Sequence, residues 1–477
     1  MSARAVGRFG LILISVVATA AAWRMSQLAA TPIGLVVITL DTTRADRLSP
    51  YGFMNISLPA IERLAREGVV FDDATTAVPL TLPSHTSLFT GLLPPDHGVR
   101  DNADPPLAES KATLAQTLLS RGFRTGAFVG SIVLNPDRGL QRGFEVYHGV
   151  TGGPPDTPQG RQRRADAVTD DALQWLDTVG DAPFFLWAHF YDAHRPYDPP
   201  EPFASTYGHD PYLGEIAFAD AQIGRLLEAL ESRHLLNRTV VVVAGDHGES
   251  LGEHGERDHG VFVYESVLRV PLIIRAPSMR ATRVGSAVRL IDVMPTVLDL
   301  LHVPAPPIDG VSTVDLMTGR RTDLKLPIYA ESLYPERLGW SGLRALREGQ
   351  FKFIDAPRPE LYDLAEDPFE EVNLYANRRA LADSLRIVAA SLAKGTNGSA
   401  GSAERSRVSP QLQARIEALG YVAGGVTSGA ASAGARPDPK DCMPLRSNPA
   451  DQRVRPLACG WWPALEAPTP AGRSGNR

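Results

Sequence analysis

Four residues of this sequence could together hold and use a divalent cation: Asp41, Thr81, Asp246 and His247. Asp41 follows the apolar run "GLVVITL" and Asp246 with His247 follows "TVVVVAG", so two carboxylates and an imidazole each leave a strand-like segment at its carboxyl end. Carboxylate oxygens and neutral imidazole are ligands for divalent ions. Thr81, in "VPLTLPSHTSLFTG", would bring a hydroxyl to the same place. A threonine hydroxyl is a poor nucleophile at neutral pH; beside a metal it can lose its proton and attack an ester. Taken singly, each acid reads as a turn residue and Thr81 as a helix cap. Only the set points to chemistry.

Such a set needs elements that bring distant residues to one edge. Apolar, β-branched runs at 34–40, 125–130, 183–190, 239–245 and 270–276 alternate with helical patterns such as "LPAIERLAREG", "DDALQWLDTVG" and "QIGRLLEALESRH". This alternation predicts an α/β fold, a doubly wound and mostly parallel sheet covered on both faces. Ligands bind such sheets beyond the carboxyl ends of the strands. A third polar segment, "HFYDAHRPY", follows the run at 183–190 and should join the other two there. Pro83 suits the first turn of a helix opening near Thr81, where the helix dipole and free N–H groups favour an anion.

Alternating aromatic and apolar residues in "LPIYAESLY" and "LREGQFKFIDAPRPELYDL" predict a small antiparallel sheet. The chain is therefore divided into an N-terminal segment (1–30), a catalytic α/β domain (31–325), a C-terminal α+β subdomain (326–393) and a tail (394–477) expected to be mostly disordered, with a helix-like island at "SPQLQARIEALGYV".

With 477 residues and a hydrophobic fraction of 43%, the chain has material for a large core. Its net charge of −6 excludes a general affinity for nucleic acid, so any anion site must be local. Arg4 and Arg8, followed by the apolar run from Phe9 to Trp23, read as an export signal, with an uncleaved membrane anchor as the alternative. The expected location is periplasmic, extracellular or anchored facing outward. The only cysteines, Cys442 and Cys459, suit a disulfide near the C-terminus. Nothing in the sequence indicates an oligomeric state.

The segments "LDTTRADRLSPYG", "TLPSHTSLFTGLLPPDHGVRDN", "HFYDAHRPYDPP", "GDHGESLGEHGERDHGVFVYESVLRVPLIIRAP", "IDVMPTVLDLL" and "LYDLAEDPFEEVNL", in that order over about residues 33–376, resemble the sulfatase family of the alkaline phosphatase superfamily. The resemblance implies a hydrolase with one divalent metal, calcium in the family, that activates a nucleophile against a sulfate or phosphate ester. It matches Asp41, Asp246 and His247 to metal ligands, and His194 and His259 to residues that bind the ester's oxygens or assist the leaving group. Asn102 resembles an asparagine that holds a non-bridging oxygen in phosphodiesterase-like relatives. Arg44 would add positive charge nearby. A metal, histidines and an amide donor are the groups that the negative charge of a transferring phosphoryl or sulfuryl group requires. His189 reads as a buried structural histidine, and His254 as either a site or a loop residue.

Two departures from the family shape the expectation. Sulfatases carry Cys or Ser, matured to formylglycine, where this chain has Thr81, and His85 replaces the arginine of the maturation motif. Threonine cannot give the aldehyde, because oxidation at its Cβ would give a ketone. The family's second acidic residue is here Thr42, which makes manganese or zinc credible beside calcium. The preferred function is an exported metal-dependent hydrolase of phosphoesters with Thr81 as nucleophile and Ser84 as a less favoured alternative. A sulfuric ester hydrolase, an envelope phosphoethanolamine or phosphoglycerol transferase, and an inactive binding protein are the rivals. A second metal would have to draw on Asp192, His194, Asp258 and His259, so one ion is the simpler expectation.

Overall fold

The computed structural model describes residues 33–151, 162–277, 279–395 and 436–443. Its main sheet comprises β1 (Gly34–Leu40), β2 (Val69–Thr75), β3 (Arg124–Val129), β4 (Val146–His148), β5 (Phe184–Phe190), β6 (Thr239–Gly245), β7 (Arg269–Arg275), β8 (Thr282–Val284) and β9 (Val288–Arg289). The order is β4-β3-β5-β1-β6-β7-β2-β8, with β9 also paired to β2. The strands from β4 to β6 are parallel, and β7 runs antiparallel to both β6 and β2. The expected mostly parallel α/β sheet is therefore present, with β7 as its reversed member.

Strands at the centre of such a sheet have no solvent face, so every residue of β1, β5 and β6 is buried. Their period of two sends Leu35, Val37, Val240 and Val242 into one core, and Val36, Ile38, Val241 and Val243 into the other. The second core is closed by apolar faces of α1 (Pro59–Glu67), α3 (Ala165–Val179) and α4 (Pro211–Ser232), while α2 (Thr81–Thr90) and α5 (Val293–Leu300) close the first. All ten residues of α2 are buried. Its polar residues are accommodated by local bonds: Thr86 Oγ1 donates to Leu82 O at 2.8 Å and Thr90 Oγ1 to Thr86 O at 2.6 Å. Gly91, with φ of 65°, ends this helix in the left-handed region.

β2 lies outside the strand readings of the sequence because "VVFDDAT" carries two aspartates. A bulge between Phe71 and Ala74 interrupts the register there, and Asp72 and Asp73 pair with Arg283 and Arg347. The second sheet is antiparallel in the order β10 (Ile328–Ser332), β11 (Leu343–Glu348), β12 (Phe351–Asp355), β13 (Glu360–Asp363), followed by α6 (Arg379–Leu392). Residues 436–443, expected within a mostly disordered tail, instead pack on this subdomain. Ser341 N donates to Pro437 O at 2.9 Å, Arg358 N donates to Asp438 Oδ2 at 2.9 Å, and Cys442 is fully buried. Cys442 is disulfide-bonded. Cys459, the only other cysteine, the N-terminal segment and the island around residues 409–422 lie outside the described residues. No helix among the described residues is long and apolar enough to cross a membrane.

Two buried acids beneath the sheet edge set a pH dependence. Burial raises Asp192 to about 7, and burial together with the Asp192 charge raises Glu215 to about 8. Both therefore keep their protons in the fold at pH values where the unfolded chain has released them. Stability from this pair is complete below about pH 4 and is lost as pH rises toward 8. Urea unfolding from pH 5 to 9 is expected to show this decline, with a shallower slope in Glu215→Gln.

Candidate metal centre and active site

Register brings the candidate ligands together. Leu40 pairs with both Phe190 and Gly245, so Asp41, Tyr191 and Asp246 leave β1, β5 and β6 at one level. Asp41 N donates to Phe190 O at 2.9 Å, and Asp246 N donates to Leu40 O at 3.2 Å. The close turn after His247 needs Gly248, since a Cβ there would stand 2.1 Å from Ser266 O.

Asp41, Asp246 and His247 are fully buried, and each offers a ligand atom within 4.8 Å of those of the others. Thr81 Oγ1, on the first residue of α2, lies 3.4 Å from Asp41 Oδ2 and 3.3 Å from His247 Nε2. His247 Nδ1 donates to Gly248 O at 2.9 Å, which fixes the tautomer and leaves the Nε2 lone pair facing the carboxylates. Asp41 Oδ1 and Asp246 Oδ2 are buried without a hydrogen-bond partner. Burial raises the pKa of Asp41, and burial followed by the Asp41 charge raises that of Asp246 well above the carboxylate range. Two buried, unsatisfied carboxylate oxygens beside an imidazole lone pair are a donor set that a divalent cation satisfies.

His194 and His259 border this group, with ring centroids 5.1 Å apart and that of His259 4.4 Å from the His247 ring. His194 Nδ1 donates to Arg195 O at 2.7 Å, so its Nε2, which has no partner, presents a lone pair when the ring is neutral. Burial lowers His194 to about 4. His259 differs because Glu249 Oε1 lies 3.1 Å from its Nδ1. Burial works to lower its pKa, and the Glu249 carboxylate outweighs burial and raises it. Tyr197 donates its hydroxyl to Glu249 Oε2 at 3.1 Å. Neither Glu249 nor Tyr197 was a candidate in the sequence. The signal available was a glutamate two residues beyond His247, and its partner ten residues further on becomes visible only in the folded loop.

Asn102 joins the group from a loop. Its Oδ1 accepts from Leu82 N at 2.9 Å, so one N–H expected to be free at the start of α2 is taken. Its Nδ2 is buried without a partner. The loop is pinned by Arg138, which donates to Asn102 O at 2.8 Å and Asp104 O at 2.6 Å, and by Arg337, 3.0 Å from Asp101. Asn102→Ala is expected to lower kcat/KM about 10²-fold, the scale of losing one preorganised donor, with metal affinity unchanged in a parallel titration.

The structure corrects several expectations. The Arg44 guanidinium is taken up by other groups: it holds both Asp46 oxygens at 2.8 Å, Glu253 at 2.8 Å and Glu249 O at 3.0 Å. Its charge is already balanced, so its role is structural. Arg44→Ala is expected to cost about 1–3 kcal/mol in urea unfolding, as for a lost partly buried ion pair, and to leave KM within about twofold. Ser84 Oγ donates to Asp246 O at 2.6 Å, which removes it as a nucleophile. His254 is a loop residue, stacked 3.6 Å from the Tyr264 ring with Nε2 3.1 Å from Phe369 O. Thr42 adopts φ of 50° and donates its hydroxyl to Ala193 O at 2.7 Å.

Fold and site together define a hydrolase that acts on ester bonds beyond the carboxyl edge of a mostly parallel α/β sheet. The chain belongs to the sulfatase family, whose profile matches residues 34–303, and residues 252–393 match the profile "N-sulphoglucosamine sulphohydrolase, C-terminal". It is 26% identical over 438 residues to an arylsulfatase of Clostridium perfringens, covering 71% of this chain and 89% of that one. It is 27% identical over 443 residues to a choline-sulfatase of Rhizobium meliloti, covering 74% and 85%. The fold is also that of the phosphonate monoester hydrolase of Agrobacterium radiobacter, with a TM-score of 0.64 at 21% identity, covering 76% of this chain and 95% of that one. A structure in complex with D-glucosamine-2-N,6-O-disulfate gives a TM-score of 0.65 at 22% identity, covering 76% and 97%.

Proposed function

We propose that the chain is an exported, metal-dependent phosphoester hydrolase in which Thr81 is the nucleophile. The observation that carries this reading is the position of Thr81 Oγ1, within 3.4 Å of both Asp41 Oδ2 and His247 Nε2. A divalent ion held by Asp41, Asp246 and His247 would act as a Lewis acid that lowers the hydroxyl pKa and offsets charge on the ester. Calcium, manganese and zinc are all compatible with two carboxylates and one imidazole.

With the Thr81 hydroxyl proton released to solvent, Thr81 Oγ1 attacks phosphorus, and the bond to the leaving oxygen breaks. His259, held by Glu249, gives that oxygen a proton, while the Asn102 Nδ2 amide donates to a non-bridging oxygen. Water then attacks the threonine phosphoester and breaks the bond to Thr81 Oγ1. The His194 Nε2 lone pair takes the water proton. Environment thus divides acid and base roles between two neighbouring histidines.

Phosphorus is preferred to sulfur because threonine cannot form the aldehyde hydrate that expels sulfate by elimination. The similarity to a phosphonate monoester hydrolase supports this preference, while the named arylsulfatase and choline-sulfatase relatives favour sulfate as the second reading. Export is supported by the apolar segment after Arg4 and Arg8 and by the disulfide at Cys442. The test is turnover of aryl phosphate monoesters, aryl phosphodiesters and aryl sulfates by protein loaded in turn with each of the three ions. Phosphoester turnover above sulfate turnover is expected; the reverse order overturns the substrate assignment.

A further inference from the structure

The helical turn that presents Thr81 is held by a side chain that takes no part in the reaction steps above. Two other threonines of α2 bond back onto their own helix, Thr86 Oγ1 to Leu82 O and Thr90 Oγ1 to Thr86 O. Thr81 begins the helix, so no helical carbonyl lies one turn before it, and its hydroxyl faces Asp41 and His247 instead. The anchored group is its backbone carbonyl. His85 Nδ1 lies 2.7 Å from Thr81 O, and a carbonyl only accepts, so Nδ1 carries a proton and donates it there. Asp246 Oδ2 stands 3.6 Å from the same nitrogen, too far to compete.

The other nitrogen of the same ring is fixed to β1. His85 Nε2 lies 2.9 Å from Thr39 Oγ1, two residues before Asp41. Thr39 Oγ1 is itself held from β5, by Trp187 Nε1 at 3.0 Å and His189 Nδ1 at 3.1 Å. The imidazole is fully buried and packs on the Trp187 ring, with centroids 5.4 Å apart. An aromatic ring has no internal rotation, so bonds from both of its nitrogens make a strut of fixed length between the strand that leads to Asp41 and the backbone of residue 81. Ser84 Oγ fastens the same turn to Asp246 O at 2.6 Å. The Thr81 hydroxyl and both carboxylates therefore share one frame. Misplacing a reacting group by about 1 Å costs about 10²-fold in rate, so such a frame has a kinetic effect.

We propose that His85 is a positioning residue for Thr81, a strut between the Thr39 hydroxyl and the Thr81 carbonyl that holds Thr81 Oγ1 in place for attack. The inference rests on the reading of Thr81 as nucleophile, and the experiment separates the two. The full chain is loaded with the most active of Ca²⁺, Mn²⁺ and Zn²⁺ and mixed with the aryl phosphoester it turns over fastest. Rapid quenching then gives the rate at which the peptide containing residue 81 is phosphorylated, and affinity for the same ion is titrated in parallel. His85→Asn keeps a donor where Nδ1 stands and cannot reach Thr39. It is expected to slow phosphorylation about 10- to 100-fold at saturating metal, with metal affinity within about twofold of wild type. Thr39→Val is expected to slow the step at least about 10-fold, and Thr39→Ser, which restores the hydroxyl, to bring it back within about threefold of wild type. A rate within about twofold of wild type in His85→Asn or Thr39→Val overturns the role of His85 and leaves Thr81 as nucleophile. So does a rate that falls only in step with metal affinity, since the whole centre would then have loosened. Absence of phosphorylated residue 81 from wild type overturns both. Should His85→Asn not fold, the contrast between Thr39→Val and Thr39→Ser gives the answer.

Discussion

Thr81→Ala is expected to lower kcat by at least about 10³-fold, the scale on which removal of a nucleophile is felt, while Thr81→Ser keeps turnover within about 10-fold of wild type. The contrast isolates the hydroxyl. Alanine is a strong helix former, so the first turn of α2 survives the change. Neither substitution removes the Leu82 N to Asn102 bond or the His85 contact to the backbone carbonyl of residue 81. Single-turnover kinetics and mass spectrometry provide the check: a phosphorylated peptide containing residue 81 accumulates in wild type quenched early and is absent from Thr81→Ala. Activity of Thr81→Ala equal to wild type would return that threonine to the role of a helix residue.

The second large effect is thermodynamic. Asp246→Asn is expected to weaken metal binding by about 10²-fold or more while making the metal-free protein more stable than wild type. Without a cation, Asp41 and Asp246 are fully buried acids beside each other, and burial and mutual repulsion disfavour their charged forms. Asparagine removes one of those charges. Wild type should gain about 2.7 kcal/mol from metal at 100 times its dissociation constant, whereas Asp246→Asn at the same concentration should gain less than about 1 kcal/mol. Thermal unfolding of both proteins, in chelator and in metal, decides it. A chelator-treated Asp246→Asn that melts below wild type would show that the pair is not strained in the empty site.

The strongest signals in the sequence came from the middle of the sheet. β1 and β6 have the bounds read from the sequence, because a strand buried on both faces is an uninterrupted apolar run. The cluster of Asp41, Asp246 and His247 was legible for the same reason, since a polar residue directly after such a run marks the sheet edge. Legibility failed where a side chain's role depends on a distant partner. Arg44 looked like free positive charge until Glu253 was folded onto it, and Glu249 carried no hint of His259. His189 reads as structural because it lies within an apolar run, and it is indeed buried in β5, with its Nε2 3.3 Å from Asp41 Oδ2. The reversed direction of β7 was equally silent, as an apolar run reads the same both ways.

The pairing of β1 with β6 has a kinetic consequence. Gly34 lies opposite Thr239, so the central ladder joins segments separated by some two hundred residues. Loop closure on that scale precedes any stabilising contact there, and folding rates fall as such non-local pairing grows. During synthesis β1 can pair with β5 once the chain through Phe190 has been made, but its other edge has no partner until the chain through Gly245 has followed. Three groups of the candidate site, Asp246, His247 and His259, follow that last central strand in the sequence. The nascent polypeptide therefore has no complete binding pocket until more than half of its 477 residues have been made.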